Sequence, residues 1–238
     1  MPFAFKAASS DPDTLSYDEA MRDVDADKWL DAAESEIHSL ERQGTWVEVP
    51  INEAQSKILP VTWVFRRKRT PDGQIKKYKA RYCVRGDLQE GEFETFAPVV
   101  AWSTVIFFLV FLLTFEWKTC SIDFANAFVQ APLHDPVWIY LSRGFRSGKQ
   151  QAVCLKLLKS LYGLSTAPHL WHQQLFAMLL ELGFKQSLFD QCLLCKPGIM
   201  IVCYVTDAGI AAKYPVLIDA LIQQFLDQGF ELTKEGSF

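Results

Sequence analysis

A chain of 238 residues that is half apolar and 22% charged, with 18 Phe and 7 Trp, has ordinary globular composition and can bury a sizeable core. That excludes a disordered chain, and at roughly 150 residues per domain it allows one large or two small domains. The formal net charge of −4 argues against a generic nucleic-acid coat, because phosphate contacts leave a basic footprint.

In chain order, residues 10–36 are rich in Asp and Glu. Ser16 with Glu19 reads as a capping box that opens a helical region continuing to Gln43. Trp29, Ala33, Ile37 and Leu40 form one apolar stripe in it, and Gly44 supplies a left-handed stop. The period then changes. Val61, Trp63 and Phe65 alternate with Thr62 and Arg66, Pro71-Asp72-Gly73 signals a turn, and Gln74 to Val84 returns as the partner strand. Arg66, Arg67, Lys68, Arg69, Lys76, Lys77, Lys79, Arg81 and Arg85 crowd into this stretch. Taken alone, such a run is either a solvated charged hairpin or a local anion-binding face on an acidic protein.

Residues 99–115 carry no charge. They fall just short of the roughly 18–20 residues of a spanning helix and lack a basic flank, so the stretch is expected to be a buried core helix, about Ser103 to Phe115, rather than a membrane span. Strands are predicted at Lys118–Asp123, Val137–Leu141 and Ala152–Leu157, and helices at Pro168–Leu182 and Val216–Gln228, stopped by Gly183 and Gly229. Met200 to Val205 is a β-branched run leading to Thr206-Asp207, after which Gly209 to Ala212 pairs back. Hairpins mixed with helices indicate an α+β fold.

Six cysteines are scattered through mostly apolar segments, where a reduced thiol behaves as a small hydrophobe. Cys192 and Cys195 have the spacing of half a zinc site, but no second such pair follows, so they read as core residues. His38, His134, His169 and His172 form no general-base constellation. Met1–Ser10 lacks an apolar run and a cleavage site, which predicts an intracellular protein, cytoplasmic or nuclear, in a reducing compartment.

Two acids stand at the ends of apolar strands, Asp123 and Asp207. Strand-end aspartates are either turn formers or, when paired, ligands for magnesium, which takes one or two carboxylates plus substrate phosphates.

The surrounding residues carry a family resemblance. Trp63-Val64-Phe65-Arg66, Tyr78-Lys79-Ala80-Arg81, Glu94-Thr95-Phe96-Ala97-Pro98-Val99, Ile122-Asp123, Ala127-Phe128 and Gly144-Phe145 come in order. Ser160-Leu161-Tyr162-Gly163-Leu164, Ala167-Pro168 with Trp171, and Tyr204-Val205-Thr206-Asp207 follow. With the lead-in residues Tyr17, Glu19-Ala20, Trp29, Glu36 and Thr45-Trp46, the chain from about residue 16 to 237 resembles the reverse transcriptase of copia-type retrotransposons.

That resemblance implies a tail over residues 1–15 and, over 16–238, the fingers and palm of a right-hand polymerase, ending before the primer grip and thumb. It implies a two-metal nucleotidyl transfer using Mg2+ or Mn2+, with RNA or DNA template-primer and deoxynucleoside triphosphates as partners and no membrane. Asp123 matches the first catalytic aspartate and, with Asp207, the metal ligands. Lys68, Arg81, Phe128, Tyr162 and Gly163 match the nucleotide site, Phe128 as the aromatic that rejects a ribose 2′-hydroxyl.

The departures are specific. Thr206 stands where the family has an aspartate that ligates both metals, Ile106 and His169 where arginine is common, and Ser165-Thr166 where Lys-Gln is common. Arg85 to Glu94 is also shorter than the family spacing. A neutral hydroxyl does not replace a bridging carboxylate, so the expectation is a copy that does not polymerise at a useful rate. The alternative expectation is a non-catalytic nucleic-acid-binding relic or co-opted module.

Overall fold

The computed structural model describes residues 11–142 and 152–237. The Gly144-Phe145 block and the first ten residues lie outside them. The elements are, first, β1 (Thr14–Leu15), α1 (Tyr17–Ala20), α2 (Ala26–Arg42), β2 (Trp46–Pro50), β3 (Ile58–Leu59), β4 (Val61–Arg69) and β5 (Ile75–Val84). Then come α3 (Trp102–Phe115), β6 (Lys118–Phe124), α4 (Ala127–Gln130), β7 (Pro132–Ile139), β8 (Val153–Lys159) and α5 (Ala167–Glu181). The rest are β9 (Lys185–Gln186), β10 (Leu193–Lys196), β11 (Ile199–Tyr204), β12 (Asp207–Ala212), α6 (Pro215–Asp227) and β13 (Leu232–Gly236). The fold is mixed α and β, as expected, and forms two compact units, residues 1–93 with 132–167 and residues 94–131 with 168–238.

In the first unit β4 and β5 pair antiparallel around the turn at 71–73, and β1 adds an edge strand that the sequence reading did not identify. Trp63 and Phe65 on β4 and Ala80 and Tyr82 on β5 point to a buried face. The Trp29 ring of α2 meets Phe65 at 5.5 Å and Tyr78 at 4.6 Å, both edge-on, a favoured aromatic geometry. A second sheet runs β2-β8-β7-β3, with β3 and β7 parallel.

One expectation is corrected here. The helical region from Ser16 is not continuous. The capping box forms, with the Glu19 carboxylate accepting from the Ser16 N–H at 2.8 Å and its hydroxyl at 2.7 Å, but α1 ends at Ala20 and α2 starts at Ala26. Asp23 and Asp25 in the break serve the hairpin instead. Asp23 pairs with Arg67, and Asp25 accepts from the Tyr78 hydroxyl at 2.7 Å and from Lys28 at 2.8 Å. Correspondingly, not all of the basic cluster is available to a ligand. Arg69 is held by both oxygens of Asp13 at 2.8 Å and Arg85 by Asp87 at 2.7 Å.

The hairpin's far end is fixed by a close backbone crossing. The Val84 N–H donates to the Tyr162 carbonyl at 2.7 Å and Gly86 N–H to the Gly163 carbonyl at 3.2 Å. A Cβ on Gly163 would lie 2.1 Å from the Val84 carbonyl oxygen, and its φ of +92° is one that only glycine adopts freely.

The second unit is built on a six-stranded sheet, β13-β6-β12-β11-β10-β9, whose pairings are antiparallel. One face, with Ile122, Phe124, Ile201 and Ile210, packs with Trp171, Leu175 and Leu179 of α5 and Leu221 and Phe225 of α6 in one core. The other carries Leu193, Met200, Val202 and Ala211 in a smaller cluster with Phe108 and Leu112 of α3. The expectation of a buried α3 is therefore corrected. Only Phe108 and Leu112 are buried in it, while Trp102 is 74% and Leu113 82% exposed. The helix is apolar all round, but one stripe suffices to cover this small cluster. Among the described residues no helix is long and apolar enough to cross a membrane.

Two outcomes follow for stability. Gly163→Ala introduces a backbone clash at a positive φ and should cost at least about 1–3 kcal/mol, whereas Gly44→Ala, with open space around its Cβ position, should cost only about 1 kcal/mol. Urea unfolding of both variants measures the difference. Glu36 accepts the Tyr82 N–H at 3.4 Å, and burial pushes its carboxyl above the usual range despite Lys79 and Arg81 nearby. A raised folded-state pKa gives a contribution present below the unfolded value and lost as pH rises through the folded one. Glu36→Gln should accordingly unfold at higher urea than the parent near pH 7, with the gain vanishing near pH 4, about the unfolded carboxyl range.

Candidate active site

Strand alternation places the first acid. Along β6, Cys120, Ile122 and Phe124 are buried in the α5/α6 core, which sends Ser121 and Asp123 to the opposite face. Along β12, Ala208, Ile210 and Ala212 enter that same core and Asp207 faces away. The ladder aligns Asp207 with Asp123 as direct partners, a relation that brings Cβ atoms to about 4.5–5.5 Å. Two carboxylates thus share one face at the end of adjacent strands. Beside Asp207 opens a groove of about 540 Å³ whose walls include Trp102, Val105 and Tyr204.

Between β11 and β12 the chain reverses through Val205 and Thr206. Val205, a β-branched residue, has φ +53°, a left-handed conformation that is strained for such a side chain. Two hydrogen bonds hold it there: Trp171 Nε1 donates to the Val205 carbonyl at 2.6 Å and the Phe124 N–H to the Thr206 carbonyl at 2.8 Å. The Thr206 hydroxyl donates to its neighbour Asp207 at a long 3.4 Å. The donor set at this point is therefore two carboxylates and one neutral hydroxyl. That suits a hard divalent cation through one or two carboxylates, and among the described residues no group of three or more His, Cys, Asp or Glu could hold a metal.

Phe128 lies in the same unit, on α4 after a left-handed Asn126 (φ +51°), half-buried against the main core. The segment joining Asp123 to it is pinned by Gln130, whose amide nitrogen donates to the Ala125 carbonyl at 2.6 Å and to Glu231 at 2.9 Å, while its oxygen accepts from the Glu231 N–H at 3.0 Å. Sequence reasoning missed this clamp. A lone glutamine carries no signal until the chain ends it joins are known to meet.

The other expected nucleotide residues belong to the first unit. The ladder pairs Val64 with Arg81, Arg66 with Lys79 and Lys68 with Lys77, so Arg66, Lys68, Lys77, Lys79 and Arg81 share one face of the hairpin. Lys68 and Arg81 are four residue pairs apart, roughly 13 Å along the strands. Arg81 lies over the Tyr162 ring at 5.3 Å, and Tyr162 leads into Gly163 at the backbone crossing. The structure thus joins Arg81, Tyr162 and Gly163 in one cluster and leaves Lys68 apart.

Residues 43–237 match the family model described as reverse transcriptase (RNA-dependent DNA polymerase). The chain is 33% identical over 230 residues to the retrovirus-related Pol polyprotein from transposon RE2 of Arabidopsis thaliana, covering 92% of this chain and 16% of that polyprotein. It is 28% identical over 237 residues to the one from transposon TNT 1-94 of Nicotiana tabacum, covering 96% and 18%. To the Ty1-ER2 Gag-Pol polyprotein of Saccharomyces cerevisiae it is 24% identical over 214 residues, covering 84% and 12%. It spans about a sixth of the length of the first of these relatives. An ordered match over residues 43–237 places the chain in the reverse transcriptase (RNA-dependent DNA polymerase) family, among the domains of copia-type retrotransposon Pol polyproteins.

Proposed function

We propose that this chain is the fingers-and-palm portion of a copia-type Pol polyprotein whose nucleotidyl-transfer centre has been disabled at Thr206. Residues 11–93 with 132–167 then correspond to fingers, β1 and Asp13 being joined to the hairpin, and residues 94–131 with 168–238 to palm. The pairing of Asp123 with Asp207 across β6 and β12 is the observation that carries the reading. Divalent cations held by these two carboxylates, Mg2+ or Mn2+, would supply the charge stabilisation and nucleophile activation of a phosphoryl transfer.

What the chain's own residues do follows from their chemistry. Asp123 and Asp207 present oxygen ligands on one face. Thr206 supplies a neutral hydroxyl where a third anionic ligand is needed. Even the loss of a group that only orients a metal ligand lowers affinity or activity about 10–100-fold, so loss of a ligand itself lowers it further. Phe128 fills the space beside the sugar and excludes a ribose 2′-hydroxyl. Arg81, stacked on Tyr162, grips triphosphate oxygens with its planar fork, and Lys68 adds a point charge further along the hairpin. RNA or DNA template-primer and deoxynucleoside triphosphates are the partners.

A second reading rests on the row of five cations along the hairpin face: the chain binds template-primer and does not extend it. Like charges set opposite one another, as Lys68 and Lys77 are, destabilise the sheet unless an anion compensates.

Primer extension on an RNA template with Mg2+ separates the readings. The parent chain should give no measurable extension, Thr206→Asp should restore it, and Asp123→Asn in the Thr206→Asp background should abolish it again. Extension by the parent would refute the inactivity, and failure of the revertant would favour the binding-only reading. Binding of template-primer should weaken as salt rises, and Lys68→Ala with Lys77→Ala should flatten that salt dependence by about two ion equivalents. Fluorescence anisotropy over a salt series measures both.

A further inference from the structure

Helix α3 turns one side to the sheet and the other to solvent. Phe108 and Leu112 enter the small cluster with Met200 and Val202. Trp102, Ile106, Val110 and Leu113 run along the opposite side at i, i+4, i+8 and i+11, with Phe107 and Leu109 flanking them. All six are exposed large hydrophobics. The 14-residue helix holds no charged side chain, and Thr114 on this side donates its hydroxyl back to the Val110 carbonyl at 2.8 Å. Leu188 and Phe189, both wholly exposed, stand beside the start of the helix, where the next residue, Asp190, accepts the Ala101 N–H at 2.8 Å.

Single apolar residues are common on a monomer's surface, whereas a contiguous patch of this size marks a contact. From their exposed fractions, the six side chains leave on the order of 600 Å² of apolar surface open. Two such faces meeting would bury about 1,200 Å², the size at which stable, specific interfaces begin. The chemistry of the face also selects its partner. A helix that lies on a lipid surface is held there by Lys and Arg beside its apolar stripe. Helix α3 has neither, and its C-cap is Glu116. A two-fold contact sets a surface against its own image, so any charge on it would meet a like charge. This face has none. Its four-residue ridge, Trp102, Ile106 and Val110, also fits the groove of an identical helix.

We propose that α3 is the contact through which two copies of this chain pair about a two-fold axis, with Trp102, Ile106, Val110 and Leu113 at its centre. The pairing desolvates no charge on the helix and covers its apolar face. It does not depend on whether the chain polymerises.

Sedimentation equilibrium of the full chain over a concentration series tests the pairing. The parent should form a dimer with a dissociation constant of about micromolar or tighter, and associate no further. Ile106→Glu with Leu113→Glu should weaken that dimer at least about 30-fold, since each buries a charge without a partner. Ile106→Lys with Leu113→Lys should do the same. These positions are exposed in the single chain, so both variants should keep the parent's far-UV circular dichroism. An equimolar mixture of the two should dimerise again. In a two-fold pairing centred on α3, positions 106 and 113 face either themselves or each other, and opposite charges then meet. A monomeric parent would overturn the proposal, and its binding to phosphatidylcholine–phosphatidylserine vesicles would assign the face to a lipid surface instead. Association that continues beyond the dimer, dimers that survive both sets of charges, or a mixture that stays monomeric would also overturn it.

Discussion

The ladder between β6 and β12 is the constraint on which the second unit depends. Its register sets Asp123 opposite Asp207 while Ile122 and Phe124 on one strand and Ala208 and Ile210 on the other enter a single core. A slip of one residue would drive Asp123 into that core and expose Ile122 and Phe124. Burial of Phe124, which meets Trp171 at 5.1 Å and Phe225 at 5.2 Å, forbids the slip. Hydrophobic packing on one face of the sheet thus fixes two charges on the other.

The turn at Val205 and Thr206 is held in shape by groups outside it. A strained β-branched residue persists because Trp171 and Phe124 bond to the carbonyls of the turn, whatever side chain Thr206 bears.

In the first unit the same division recurs with opposite sign. Trp63, Phe65, Ala80 and Tyr82 pack inward, and the alternate positions carry Arg66, Lys68, Lys77, Lys79 and Arg81 on the other face. Arg67 and Arg69 are neutralised by Asp23 and Asp13 from the acidic lead-in. The net charge of the chain hides this arrangement, because the excess acid lies in the segment that pairs with the hairpin's surplus base.

The sequence by itself determined the elements whose signals are local: the capping box at Ser16, the β4–β5 hairpin, the strands that end near Asp123 and before Thr206, and the glycine-stopped helices. It also carried the ordered blocks of the reverse transcriptase family, since these are facts of residue identity. Short strands such as β1 and β3 were illegible, because two residues cannot display a period and form only when a partner edge is present. The break between α1 and α2 was hidden for a related reason: Asp23 and Asp25 leave the helix to meet Arg67 and Tyr78, far along the chain. Only the tertiary structure decided that α3 is mostly exposed, that Gln130 ties Ala125 to Glu231, and that Gly163 crosses Val84 too closely for any side chain. Each depends on which surfaces meet across long stretches of chain, and periodicity records only which face of an element is apolar.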